Sequence, residues 1–586
     1  MDRKAFFDSK IAKRIETGRN YRLNPGFYQN LFWRPCTVRI LMVADGFLYF
    51  SDENFGLSDL IGILKNENLS YVRFDITVAH RGSPGAIRMG EDNDDISNSI
   101  ASFRFDDSAD FDPSDYDQVW LFGSSRSRLQ ADNTWSNKLD DSELRVLMEF
   151  MDAGGGVFAT GDHEDLGAAM GGFLPRVRQM RRWFFPDPGP NGEGLAPPFE
   201  GPDRFDTNRE GHDAGYQFND QSDDIPQTIT PKTYSVQVGP HIRATFPHPV
   251  LCGPKGRIRV LPDHAHESQC TTAADADASE TLDGVNFTEF PAATDGGSRP
   301  LPEVIATSTV IGGHLTSGKS GVTNARTFGA ISAYDGHRAS KGRIVCDATW
   351  HHFININLTG VDDMAGNPIP GPKGMGFLAT TAGQAVYEEI KAYFINIALW
   401  VSPKGKQKCM RNWGIFNVIW SERLTEVFDP AIRLESARLI DFIILGRHAR
   451  DAIGTFASQC QATKWTWDFV LEEWPAKPFI DMGDPWRIDE LEEVETVALR
   501  DIEPLDMVDL SWVGDAALGG AVLAMREQLF PVEQKTLDTF DDLSDDIARK
   551  GALTAASRAI DEAGRGLGAM FEAARSGFKS PVSQKR

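Results

Sequence analysis

The chain has 586 residues, 41% of them hydrophobic and 25% charged, a globular composition too long for one ordinary core. Its 60 Lys and Arg against 84 Asp and Glu leave a formal charge of −24, which excludes generic binding to nucleic acid by repulsion. The lead, residues 1–36, has no apolar leader core, and no run of about eighteen apolar residues follows, so the reading is a cytoplasmic protein without a membrane partner.

In chain order, TVRILMVADG (37–46) is a near-continuous apolar run, as expected of a strand buried on both faces, with Asp45 at its carboxyl end. A helix is predicted from Ser58, a second strand over 71–79 and a third over QVWLFGSS (118–125). Leu144, Leu147, Met148 and Met151 mark a helix over 140–153, with Asp140 as its cap. GGGVFATGDHEDLG (154–167) is then a fourth strand, breaking at Gly161 into Asp162, His163, Glu164 and Asp165. The dense basic stretch RVRQMRRW (176–183) reads as a solvated helix face. Strand and helix alternating at these intervals predict a parallel sheet with crossover helices, whose ligands lie past the carboxyl ends of the strands.

Composition turns to Pro, Gly, Asp and Asn after Pro186, giving an irregular insertion over about 186–300 that contains two β-like pieces, TYSVQV and GRIRVL. Strands are predicted over 302–310 and 342–353, and a long apolar helix over 382–400 closes the domain. GHLTSGKS (313–320) matches the phosphate-loop pattern, but glycine and β-branched residues follow where a helix is required, so it reads as a polar loop. From 403 to 586 helical candidates dominate, around 432–445, 449–457, 516–529 and 550–578, with an acidic belt over 489–509. The last helix is amphipathic and admits an oligomer joined through the C-terminal helices. Trp465, Trp467, Phe469 and Trp474 read as core. Cys36, Cys252, Cys270, Cys346, Cys409 and Cys460 have no metal spacing and read as reduced thiols.

Four features carry a family resemblance: a first strand ending in VADG, a third turning at FGSS, the glycine-led GGGVFATGD, and a late strand ending in WHH. On these, residues 37–400 resemble the class I glutamine amidotransferase-like superfamily, and within it the trehalose-utilisation-like proteins. The resemblance implies a flavodoxin-like α/β domain over 37–402: a mostly parallel sheet with helices on both faces, followed by a helical region. It places Gly161 or Asp162 at the nucleophile elbow, His351 or His352 as the late-strand histidine, and Gly123 and Ser124 near an oxyanion site. No cysteine stands at that elbow and no acid follows the histidines in HHFININL, so a cysteine-dependent glutaminase is not expected.

The histidines gather in GDHED, PDHAHE, YDGHR and TWHHF, next to carboxylates, as acid–base work or metal ligation requires. The expected catalytic set is Asp45, Asp162, His163, Glu164, His351 and His352, with Gly123, Ser124 and His337 binding an oxyanion or ligand. A divalent metal, if one is used, would draw on Asp162, His163, Asp263, His264 and His266. Hydrogen-bonded loop residues are the plainer reading of each motif. The expectation is a hydrolase-like enzyme for a small-molecule or sugar-related ligand; the alternative is a non-catalytic ligand-binding or assembly protein.

Overall fold

The computed structural model describes residues 35–66, 69–82, 89–90, 96, 98–162, 165–183, 227–239, 242–253, 256–263, 268–294, 297–310, 326–360, 376–419, 424, 432–454, 462, 465–466, 511–529 and 540–577. Ten strands form the central sheet: β1 (Cys36–Ala44), β2 (Val72–His80), β3 (Asn98–Ala101), β4 (Gln118–Phe122), β5 (Gly156–Thr160), β6 (Gln227–Pro231), β7 (Val260–Leu261), β8 (Glu303–Val310), β9 (Arg326–Tyr334) and β10 (Ile344–Asp347). Their order is β7-β6-β8-β9-β10-β5-β4-β1-β2-β3. From β10 to β3 every pairing is parallel. From β10 to β7 every pairing is antiparallel.

The apolar run of β1 is explained by two cores. Val38, Ile40 and Met42 enter one, whereas Leu41 and Val43 enter the other on the opposite face. The second core is closed by α2 (Asp141–Asp152), where Asp140 and Glu143 form a capping box and Leu144, Leu147, Met148 and Met151 are buried, as their spacing predicts. The first face takes α1 (Ser58–Asn66) and α3 (Thr381–Val401).

That first core continues without a break into the helical region: α4 (Lys404–Ile419), α5 (Leu439–Gly454), α6 (Ser511–Leu529) and α7 (Phe540–Gly577). Backbones approach closely there, since a Cβ on Gly520 would stand 2.2 Å from the Gly551 carbonyl oxygen. No described helix is long and apolar enough to cross a membrane.

Four expectations need correction. The insertion holds strands at TYSVQV and in GRIRVL as expected, but it is less irregular than that, because β6 and β7 join the central sheet and Thr233–Gly239 pairs with Ile242–Pro247 in a hairpin. The last strand ends at Asp347, and Trp350–His352 form a 3-10 turn. The cysteines are not all reduced: Cys36 of β1 and Cys409 of α4 form a disulfide, Cα to Cα 5.8 Å, made possible because α4 docks on β1. Cys252 is also disulfide-bonded, and Cys270 and Cys346 are buried free thiols. Finally, RVRQMRRW is not a solvated face, since Arg176 and Arg181 are both buried. The GHLTSGKS loop, the acidic belt, Trp467, Phe469, Trp474 and the lead through residue 34 lie outside the described residues.

Candidate functional site

Parallel strands deliver all their carboxyl ends to one edge of the sheet, and the order places β1 beside β4 where the chain reverses its direction of winding. At that edge Asp162 follows β5, and Thr349, His351 and His352 follow β10. The Trp350 amide donates to the Gly161 carbonyl at 2.8 Å, tying the two strand ends together. Gly161 has no room for a side chain: a Cβ would stand 2.5 Å from the Leu166 carbonyl oxygen and 2.8 Å from the Trp183 ring.

His351 lies between two carboxylates. Its Nε2 is 3.3 Å from Asp162 Oδ2, and its Nδ1 is 3.1 Å from Asp263 Oδ2. Each carboxylate is held in turn: Thr349 Oγ1 donates to Asp162 Oδ1 at 2.8 Å, and Asn357 Nδ2 donates to Asp263 Oδ2 at 2.7 Å and to the His351 carbonyl at 2.8 Å. Trp350 stacks on the imidazole at 4.2 Å, and the half-exposed rings of Phe47 and Phe55 meet Trp350 edge-on at 5.5 and 5.8 Å. Asp162 is fully buried and His351 is 5% exposed, so any chemistry there is shielded from bulk water.

GDHED, PDHAHE and WHH therefore meet through Asp162, Asp263 and His351. The carboxylate facing His351 Nδ1 comes from Asp263, 88 residues earlier in the chain. His352 is engaged differently: Nδ1 lies 2.7 Å from Asp347 Oδ1 and Nε2 3.0 Å from the Asp263 carbonyl, while Tyr393 donates to Asp347 Oδ2 at 2.6 Å. Both ring nitrogens of His352 are thus engaged within the scaffold, one by a carboxylate and one by a main-chain carbonyl.

The expected oxyanion site is already filled. Asp45 Oδ1 accepts from the Ser124 and Ser125 amides at 2.6 and 2.8 Å, and Ser124 Oγ donates to the Asp45 carbonyl. Burial still pushes the Asp45 carboxyl above its ordinary range, against those amides. Gly123 is taken up by close packing, as a Cβ there would stand 2.6 Å from Gly167 Cα. Asp45, Gly123 and Ser124 thus form a turn lock beside the site. His337 is not in the site either: β9 runs antiparallel to β10, so its carboxyl end lies at the opposite edge, where Lys341 pairs with Asp152.

His163, Glu164, His264 and His266 lie outside the described residues. Among the described residues, no group of three or more His, Cys, Asp or Glu is placed to hold a metal. Asp165, buried, pairs with Arg126 and Arg128. Sequence reasoning missed Thr349, Asn357, Asp347, Tyr393 and Arg181, although Asn355 and Asn357 stand out as polar residues in the apolar run FININL. Compared with family models, curated proteins and solved structures, the chain matches none.

Proposed function

We propose that the protein is a hydrolase for a small-molecule or sugar-related substrate, working through Asp162, His351 and Asp263. The observation that carries this reading is the imidazole of His351 held between two buried carboxylates. Asp263, fixed by Asn357, orients the ring through Nδ1 and balances its charge, leaving Nε2 toward Asp162. In the reaction, an Asp162 oxygen attacks the electrophilic carbon and expels the leaving group, forming a glycosyl or alkyl ester, or a mixed anhydride when the substrate is itself an ester. His351 Nε2 then takes a proton from the water that hydrolyses this intermediate, which returns Asp162, and the proton passes to the expelled leaving group. Carboxylate nucleophiles suit esters, glycosides and activated carbons better than amides.

The amidotransferase-like relationship stays a proposal, supported by the parallel order β10-β5-β4-β1-β2-β3 and the glycine-led β5. A departure is that Asp162 is not among the described non-glycine residues with positive φ, unlike a strained elbow. A metal-assisted version would use Asp162 and Asp263 with His163, His264 and His266, and metal analysis of the purified protein separates the two. One observation favours the non-catalytic reading: Asp162 and His352 are wholly buried, as in a structural polar pillar. Assembly through α7 would show as large species lost on truncation before Lys550. The partner in either case is a small ligand rather than nucleic acid. For location, the Cys36–Cys409 bond is of a kind that oxidising compartments maintain, and thiol titration of freshly isolated protein decides against or for the cytoplasm.

The test is turnover of aryl esters and aryl glycosides by the wild type and by Asp162→Asn and His351→Gln. Each variant should lose about a thousandfold in kcat, or ~4 kcal/mol, with the fold intact. Retention of wild-type turnover in either would overturn the assignment.

A further inference from the structure

Arg181 is 1% exposed. A buried charge is costly unless it is paired, yet among the described residues no carboxylate stands within ion-pair distance of it. Its fork holds main chain instead. Nη2 donates to the carbonyls of Asp162 and Ala348 and to Ser268 Oγ, the latter at 3.1 Å; Nε donates to the Ala348 carbonyl at 3.1 Å, and Nη1 to that of Arg182 at 3.2 Å. The Trp183 ring covers the guanidinium plane at 4.2 Å. A Cβ on Gly161 would approach Arg181 Cζ to 3.1 Å, so the glycine leaves the space the guanidinium fills.

These acceptors are not arbitrary. One belongs to Asp162 itself. Ala348 precedes the turn that carries Thr349 and His351, and Ser268 lies five residues after Asp263 in the sequence. We propose that Arg181 is a positioning residue of the site, its planar fork fixing the three loops that bring Asp162, His351 and Asp263 together. It touches no reacting atom. A lysine would replace it only in part, because an ammonium in the place of Nη2 leaves unmade the Nε bond to Ala348 and the Nη1 bond to Arg182, and leaves the face of Trp183 without its planar partner. Burial lowers the guanidinium pKa to about 10, so it remains cationic at neutral pH and keeps all its donors.

The proposal rests on the hydrolase reading only for its activity readout. Arg181→Lys should stay folded but lose at least about tenfold in kcat on the ester or glycoside that the wild type turns over, with KM little changed. Arg181→Ala should lose more, and added guanidinium ion, but not ammonium, should restore it. A folded Arg181→Lys with wild-type kcat would overturn the proposal, as would guanidinium restoring thermal stability without kcat. If Arg181→Lys does not fold, the guanidinium arm supplies the same reading.

If the wild type turns over none of these compounds, the hydrolase reading fails separately, and amide exchange still tests the clamp. Exchange at Trp350, bonded to Gly161, and at Asp162, bonded to Leu166, should quicken at least about tenfold in Arg181→Lys, while Val157 within β5 stays protected. Unchanged exchange at Trp350 and Asp162 would refute it.

Discussion

The two halves of the sheet do different work. In the parallel half every carboxyl end faces the same edge, so short polar tails after β1, β4, β5 and β10 converge without long excursions. In the antiparallel half successive strands reverse, and the polar turns are divided between two edges. That half contributes one residue to the triad, Asp263, which follows β7, a strand running in the same sense as β10. Polar strand tails are gathered by parallel pairing and buttressed by antiparallel pairing.

The largest test of this division compares two histidines that look alike in sequence. His351→Gln removes the ring held between carboxylates at the parallel edge and should cost about a thousandfold in kcat. His337→Gln, beyond the end of β9 at the opposite edge, should leave kcat within about twofold. Equal losses would show that the edge beyond the end of β9 also serves the site.

The same contrast explains what the sequence made legible. Asp45, Asp162 and His351 could be assigned to one edge because double-sided burial makes parallel strands continuous apolar runs, and their tails are then easy to see. The resulting α/β fold and helical C-terminal region follow from that patterning. That PDHAHE approaches the same edge could be expected from its acids and histidines, but the particular pairing of Asp263 with His351 could not be read, since a contact across 88 residues leaves no local period. His337 was misplaced because a strand's direction is not written in its apolar pattern. Arg181 was misjudged because arginine is ordinarily a surface residue, and only the carbonyls brought to it by three loops make burial tolerable. The Cys36–Cys409 bond was missed because α4 reaches β1 only through the tertiary fold.

A smaller effect is expected where β5 ends. Gly161→Ala would force a methyl group against the Leu166 carbonyl and the Trp183 ring, and backbone cannot yield there as a flexible side chain would. Overpacking of this kind costs about 1–3 kcal/mol. Because the displaced backbone carries Asp162, kcat should fall even in the population that remains folded, as urea melts run alongside kinetics would reveal. A loss of stability with kcat unchanged would mean that the end of β5 is scaffold alone.

The smallest effect concerns the segment between β6 and β7, where His248 is buried against Trp400, ring centroids 4.6 Å apart, and accepts from the Val250 amide. Burial pushes its pKa from 6.5 down to about 3. Above pH 6.5 the imidazole is neutral in both folded and unfolded chains and contributes no pH dependence. As pH falls below that value the unfolded chain takes up a proton that the folded one refuses, so stability is lost progressively until the folded value is reached. The slope is about 1.4 kcal/mol per pH unit, or roughly 2 kcal/mol by pH 5. His248→Asn keeps an acceptor for the Val250 amide but cannot titrate. Although it should be less stable than wild type at pH 7 through lost packing on Trp400, its urea midpoint should fall less between pH 7 and 5. Equal falls in both proteins would mean that the acid response between pH 7 and 5 lies in other groups.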